Sequence, residues 1–256
     1  MTLDHRLDGP EGAKVVVLSN SLGTTQELWR RQLPELTERF RVLAYDHPGH
    51  GASELPEQPY RVEAFAHGLL GLLDDLGLDR VSLCGVSLGG MVGMALALEA
   101  PERVERLVLA CTSAYLGPPE PWAERARIVR TDGMGAIADA VVGRWFTPEL
   151  RREEPETVAR FRAMLVATPP EGYARCCEAL AAWDARERIS RIAAPVLVVA
   201  GEDDPATPIE EAERLTSRIP GARLRVLERA AHLANVERSE AFTSAVLEHL
   251  GQEVRV

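Results

Sequence analysis

The sequence predicts an α/β fold, a mostly parallel and doubly wound sheet with one block of helices inserted into it. Three observations predict it. Six short apolar runs read as strands, and most are continuous rather than alternating, as strands buried on both faces of a parallel sheet are. Helical patterns separate these runs, so strand alternates with helix along the chain. The alternation stops after Thr112 and resumes only at Ala194-Pro195-Val196.

In chain order, His5 lies in an N-terminal tail, and the first strand, 15–18, runs into the polar loop Ser19-Asn20-Ser21-Leu22-Gly23. A helix is expected over 29–38. The second strand, 42–45, ends in Asp46-His47-Pro48-Gly49-His50-Gly51, where Pro and Gly mark a tight, hydrogen-bonded turn that reaches Ser53. Helix 62–76 leads to strand 81–84, and directly after it comes Gly85-Val86-Ser87-Leu88-Gly89, a G-x-S-x-G pentapeptide that opens helix 88–98. A nucleophile on a sharp strand-to-helix turn needs glycine neighbours to relieve crowding, and the helix N-terminus favours the negative charge that develops during attack.

After strand 107–110, Pro118-Pro119-Glu120-Pro121 reads as a linker, and the pattern that follows is helical, with breaks at Gly133, Pro148, Pro155 and Pro169-Pro170. Strand 196–200 ends in Gly201-Glu202-Asp203-Asp204-Pro205-Ala206-Thr207-Pro208. Helix 209–219, strand 224–227, the loop Ala230-Ala231-His232-Leu233 and helix 239–250 complete the chain. The expected division is a first core part over 1–117, a helical cap over 118–192 and a second core part over 193–256. An insertion at that point can act as a lid over the C-terminal ends of the strands, where open sheets bind ligands.

Composition narrows the function. The chain has 256 residues, 46% hydrophobic and 27% charged, which is enough apolar material for a core and too ordinary a charge content for wholesale disorder. Its net charge of −10 argues against a nucleic-acid binder, which needs a basic surface. No run of 18 apolar residues suggests a membrane span, and the charged N-terminus lacks the apolar stretch of a signal peptide. Cys84, Cys111, Cys176 and Cys177 form neither a C-x-x-C pair nor a disulfide framework, so a cytoplasmic location is expected.

A serine at its ordinary pKa needs a base. Of six histidines, only His232 sits late in the chain on a loop at the C-terminal end of a strand, where the order Ser, Asp, His places the base. The acid should lie between them, and Glu202, Asp203 and Asp204 compete for that role, spacing alone not choosing. An oxyanion hole needs two backbone N–H groups, expected from Leu88 and from Leu22 in the loop after the first core strand. His47-Pro48-Gly49-His50 is a loop rather than a helical metal motif, and no phosphate loop is present, so neither a metal nor an organic cofactor is expected.

With these residues in place the chain resembles the α/β-hydrolase superfamily and, within it, the 3-oxoadipate enol-lactonases of aromatic catabolism (the β-ketoadipate pathway). The resemblance runs from about Leu18 to Phe242, through Leu18–Thr25, Cys84–Gly93, Arg144-Trp145-Phe146-Thr147-Pro148, Gly172–Cys177, Trp183–Arg186 and Ala230–Glu237. The superfamily pattern G-x-x-D-x-x-x-P falls on Gly201, Asp204 and Pro208, which implies Asp204 as the acid. Pro48 stands where enol-lactonases often have Arg, and Asn20-Ser21 replaces the common His-Gly of the superfamily as in the enol-lactonase variant.

The resemblance implies a small anionic lactone as substrate, opened to 3-oxoadipate through an acyl-enzyme on Ser87. The substrate carboxylate then needs a partner in the insertion, where Trp145 is the leading pocket residue. The arginine among Arg125, Arg127, Arg130, Arg144, Arg160, Arg162 and Arg175 stays unassigned. Another hydrolase activity of the same fold (esterase, C–C bond hydrolase or perhydrolase) and a non-catalytic small-molecule receptor are the competing readings.

Overall fold

The computed structural model describes residues 2–57 and 60–251. Among them, seven strands form one sheet: β1 (His5–Asp8), β2 (Val15–Ser19), β3 (Arg41–Tyr45), β4 (Val81–Val86), β5 (Val104–Ala110), β6 (Val196–Gly201) and β7 (Arg223–Leu227). Their spatial order is β1-β3-β2-β4-β5-β6-β7. All neighbours run parallel except the β1–β3 pair. Every residue of β4 and β6 is buried, which explains their unbroken apolar sequences. Helix α1 (Leu33–Thr37) packs on β3, α2 (Val62–Asp75) on α3 (Leu88–Glu99), and α3 in turn on β2, β4 and β5.

Two sequence expectations change here. The helix expected over 29–38 is a 3-10 turn at Gln26–Trp29 followed, after a break, by the short α1. Pro34 has no N–H to give the carbonyl four residues back, so it is tolerated only in a first turn. The tail holding His5 is strand β1, antiparallel to β3 with Leu7 opposite Leu43. It is a four-residue edge strand in which Leu7 is the single apolar residue, so it has no apolar run to betray it.

Between β5 and β6 the described residues contain five α-helices, a 3-10 turn at Ile189–Arg191 and no strand of the sheet. The α-helices are α4 (Glu120–Asp132), α5 (Gly135–Trp145), α6 (Pro148–Glu153), α7 (Pro155–Ala167) and α8 (Pro170–Ala181). Gly133 ends α4 with φ +77°, and α6, α7 and α8 each carry Pro in the first turn, where the missing N–H is not needed. Their buried faces join one apolar core with the sheet, Val129, Ile137, Phe161 and Leu165 among them. The seam with the sheet is tight. A Cβ on Gly172 of α8 would lie 2.2 Å from the Gly49 carbonyl oxygen, and one on Gly23 would lie 2.5 Å from Leu165. After β6, α9 (Ile209–Arg218) packs on β6 and β7, and α10 (Ala234–Glu237) leads into α11 (Ser239–Gly251). Among the described residues no helix is long and apolar enough to cross a membrane, and all four cysteines are buried and unpaired.

Candidate active site

The strand register brings four loops to one edge. Ser19 pairs with Gly85, Val86 with Ala110, Ala110 with Val199 and Gly201 with Leu227, so the segments after β2, β4, β6 and β7 leave the sheet side by side. Ser87, between β4 and α3, has φ 57° and ψ −117°, a conformation that costs a non-glycine residue about 1–3 kcal/mol. It is held by its own N–H, which donates to Ala110 O at 2.9 Å, and by Thr112 Oγ1, which donates to Ser87 O at 2.7 Å. Both motif glycines answer to backbone. A Cβ on Gly85 would meet the Gly89 carbonyl at 2.3 Å, and one on Gly89 would meet Ser19 O at 2.0 Å. The start of α3 thereby lies against the loop that holds Leu22. Leu88 is the first residue of α3, so its N–H has no intrahelical acceptor.

His232 and Asp204 form a buried pair. The His232 Nδ1 donates to Asp204 Oδ2 at 2.8 Å, and the two residues are 5% and 4% exposed. The second carboxylate oxygen accepts the N–H groups of Ala206 (2.8 Å) and Thr207 (3.1 Å), while Thr207 Oγ1 donates to Oδ2 at 2.6 Å. Burial works to raise the Asp204 pKa. The His232 charge and the hydrogen bonds from His232 and Thr207 outweigh it, so the pKa lies below the usual carboxylate value and the group stays ionised. Of the three carboxylates the sequence leaves open, Glu202 and Asp203 are exposed, and Glu202 accepts the Arg229 N–H. A Cβ on Gly201 would lie 2.4 Å from Ala231 O, so glycine there lets the end of β6 reach the His232 loop. Thr207 escaped the sequence reading, although a threonine three residues after an aspartate is a usual partner for an Asx-type turn.

The Leu22 loop is bolted down by groups that no spacing rule flags. Asn20 Nδ2 donates to Tyr45 O at 2.7 Å, and Asn20 Oδ1 accepts Trp29 Nε1 at 2.8 Å. His47 Nε2 faces Asn20 O at 2.8 Å and must carry its proton there. His50 is the opposite tautomer: Nδ1 faces Pro48 O at 3.2 Å, and Nε2 accepts the Gly23 N–H at 3.1 Å. Both rings are buried and neutral. Burial pushes His47 down to about 3, helped by His50, and burial pushes His50 down to about 4.

The His232 loop is tied to the inserted helices. Leu233 N–H donates to Trp145 O at 3.0 Å. Glu237 accepts the Ala231 N–H at 2.9 Å with one oxygen, and with the other it accepts the Thr147 N–H at 3.1 Å and the Thr147 hydroxyl. Segments 144–148 and 230–237, far apart in sequence, are thus one hydrogen-bonded unit.

Ser87, His232 and Leu22 line a cavity of about 210 Å³ whose remaining walls include Trp122, Trp145 and Tyr173 from the inserted helices. Cavities of about 570 and 480 Å³ lie elsewhere and contain no serine or cysteine. Trp145 is 3% exposed, and its ring meets Phe161 edge-on at 6.3 Å between centroids. Of the seven candidate arginines, Arg125 and Arg144 reach this cavity. Arg127, Arg130, Arg162 and Arg175 instead pair with carboxylates of the insertion, and Arg160 lies over Phe161.

The sequence model of the alpha/beta hydrolase fold matches residues 14–239. A curated relative, 3-oxoadipate enol-lactonase 2 of Acinetobacter baylyi, is 39% identical over 96% of this chain and 92% of its own. The crystal structure of the enol-lactonase from Burkholderia xenovorans superposes with a TM-score of 0.95 at 44% identity, covering 98% of this chain and 96% of that one. A thermophilic esterase from Thermogutta terrifontis gives 0.92 at 31% identity, over 97% and 92% of the two chains. Matched by the family's sequence model and by these relatives over nearly its whole length, the chain belongs to the α/β-hydrolase family and is a hydrolase that resembles the 3-oxoadipate enol-lactonases.

Proposed function

We propose that the chain hydrolyses 3-oxoadipate enol-lactone to 3-oxoadipate, with Ser87 as nucleophile, His232 as base and Asp204 as the orienting acid. The observation that carries the reading is the buried Asp204–His232 pair opening on the same cavity as a conformationally strained serine. In this reading residues 1–117 and 193–256 supply the reacting groups, and 118–192 form the cap that closes over a small anionic substrate.

The Ser87 hydroxyl proton passes to His232 Nε2 as Oγ attacks the lactone carbonyl. The Leu22 and Leu88 N–H groups receive the oxyanion, each worth about 2.7–4 kcal/mol by comparison with other oxyanion donors. Collapse breaks the ring C–O bond. The leaving enolate takes the proton from His232 and tautomerises to the ketone, which draws the opening forward. A water, deprotonated by His232, then releases 3-oxoadipate and returns Ser87. Asp204 keeps the Nδ1 proton in place and stabilises the imidazolium in both halves.

The test compares freshly generated 3-oxoadipate enol-lactone with simple aryl esters. A kcat/KM higher for the lactone supports the reading. A preference for simple esters overturns it in favour of a general esterase, the second reading that the Thermogutta terrifontis relative favours.

A further inference from the structure

We propose that His50 is a positioning residue of the oxyanion hole. By accepting the Gly23 N–H, it holds the turn Ser21–Thr24 in the orientation that presents the Leu22 N–H to the Ser87 cavity. The proposal rests on the hydrolase reading above and adds the group that keeps its oxyanion donor in place.

The shape of the turn follows from its internal hydrogen bonds. The Ser21 carbonyl accepts the Thr24 N–H at 3.1 Å and the Thr24 hydroxyl at 2.8 Å. Gly23, third of the four residues, has φ +79°, the mark of a type II turn. The Ser21 carbonyl and the Leu22 N–H share one planar trans peptide, so they point opposite ways. Thr24 occupies the carbonyl. Among the described residues the Leu22 N–H has no acceptor, and Leu22 lines the cavity with Ser87 and His232.

Internal bonds fix a turn's shape and leave its orientation free. The His50 Nε2 takes the Gly23 N–H at 3.1 Å. Among the described residues this is the only hydrogen bond from Ser21–Thr24 to any other segment. Without it Gly23 could turn its N–H away, because types I and II differ by a flip of the central peptide and glycine accepts either sign of φ. For Nε2 to accept, the ring proton must sit on Nδ1, and Pro48 O takes it there at 3.2 Å. The ring is fully buried, and burial keeps it neutral, so the acceptor is present throughout the neutral range. His47, in the opposite tautomer, holds the Asn20 carbonyl just before the turn. His50 itself stands outside the cavity wall, so it acts through Gly23.

The test uses the purified full chain with p-nitrophenyl acetate and p-nitrophenyl thionoacetate, which differ only in C=O against C=S. Sulfur is larger and a weaker hydrogen-bond acceptor, so the thiono ester draws less from an oxyanion hole. His50→Leu removes the acceptor at similar size. Its kcat for the oxo ester should fall about 10–100-fold with KM little changed, a part of what outright loss of an oxyanion donor costs. The thiono ester should lose less, so the oxo-to-thiono ratio should fall. His50→Gln, whose Oε1 can stand where Nε2 stands, should keep a ratio nearer the wild type. A merely structural defect lowers the active fraction and therefore both esters alike. Parallel losses, a wild-type kcat in His50→Leu, or a ratio in His50→Gln as low as in His50→Leu overturns the proposal. If His50→Leu does not fold, NMR of the wild-type ring nitrogens decides: Nε2 of His50 should be unprotonated, and a proton there overturns the proposal. A wild type inert toward the esters and the enol-lactone alike removes the hydrolase reading and the proposal with it. One that cleaves the esters and not the lactone removes only that substrate and leaves the His50 assignment standing.

Discussion

The Leu233 N–H donates to the Trp145 carbonyl at 3.0 Å, which ties the residue after His232 to the residue that walls the cavity. Glu237 repeats the link one step away by holding Ala231 and Thr147 on its two oxygens. His232 is therefore positioned from both sides by contacts that also set the height of α5. Glu237→Gln leaves one acceptor oxygen for three donors. It should cost about 1–3 kcal/mol of stability, the penalty for unpaired buried donors, and should lower kcat. Thermal melts and steady-state kinetics on one preparation check this, and wild-type values for both would refute it.

Trp145 should govern substrate choice through shape. Trp145→Phe preserves an aromatic body against Phe161 and removes the indole from the cavity wall. Its kcat/KM for the enol-lactone should drop more than for a small neutral ester. Parallel losses on the two substrates would reduce Trp145 to a packing residue.

Ser87→Ala should lower kcat by more than about a thousandfold with the fold intact. Ser87→Gly should be as inactive yet more stable than the alanine variant by about 1 kcal/mol, because glycine accepts φ 57° without strain. Equal melting temperatures for the two variants would show that the turn stores no strain.

Asp204→Asn should depress kcat severely, since the amide cannot supply the counter-charge and upsets the His232 tautomer. Asp203→Asn, at an exposed position, should change little. Equal and mild losses would assign the acid elsewhere.

Stability should fall as pH drops below about 6.5, the unperturbed histidine value. His47, His50 and His249 have folded pKa values of about 3, 4 and 4, each lowered first by burial. The unfolded chain takes up their protons first, so stability present above the unfolded value is lost as pH falls toward about 4. Asp46 opposes this, because burial raises its pKa to about 6 and it gains a proton in the folded state. Three histidines against one carboxylate leave a net decline, at about 1.4 kcal/mol per pH unit for each uncompensated proton. Asp204, lowered instead, weakens the fold only at still more acid pH. Melting temperatures between pH 7.5 and 4.5 test the sign, and a flat profile from 6.5 to 5 would refute it.

The parts of the candidate site that follow from local rules were legible in the sequence. Ser87 announces itself because a strand, two glycines and a helix start are contiguous. His232 does so because chain order and a strand end pick one histidine from six. Asp204 was separable from Asp203 and Glu202 only through family spacing, since exposure is a property of the folded chain. Glu237 and His50 were not legible, because each depends on partners brought together by the fold. Glu237 reaches Thr147 across 90 positions, and His50 reaches Gly23 across 27. Strand β1 was missed for a related reason: an edge strand with one neighbour needs no apolar pattern.

The bare contact between Gly49 and Gly172 bears on how such enzymes can be recombined. With two backbones touching and no side chain between them, α8 has a docking height defined by the turn beneath it. A helical insertion transplanted from a relative would sit correctly only if the turn at 46–53 travelled with it. In a chimera library the exchangeable block is therefore discontinuous, and crossovers placed only at the two ends of the insertion should yield misfitted active sites.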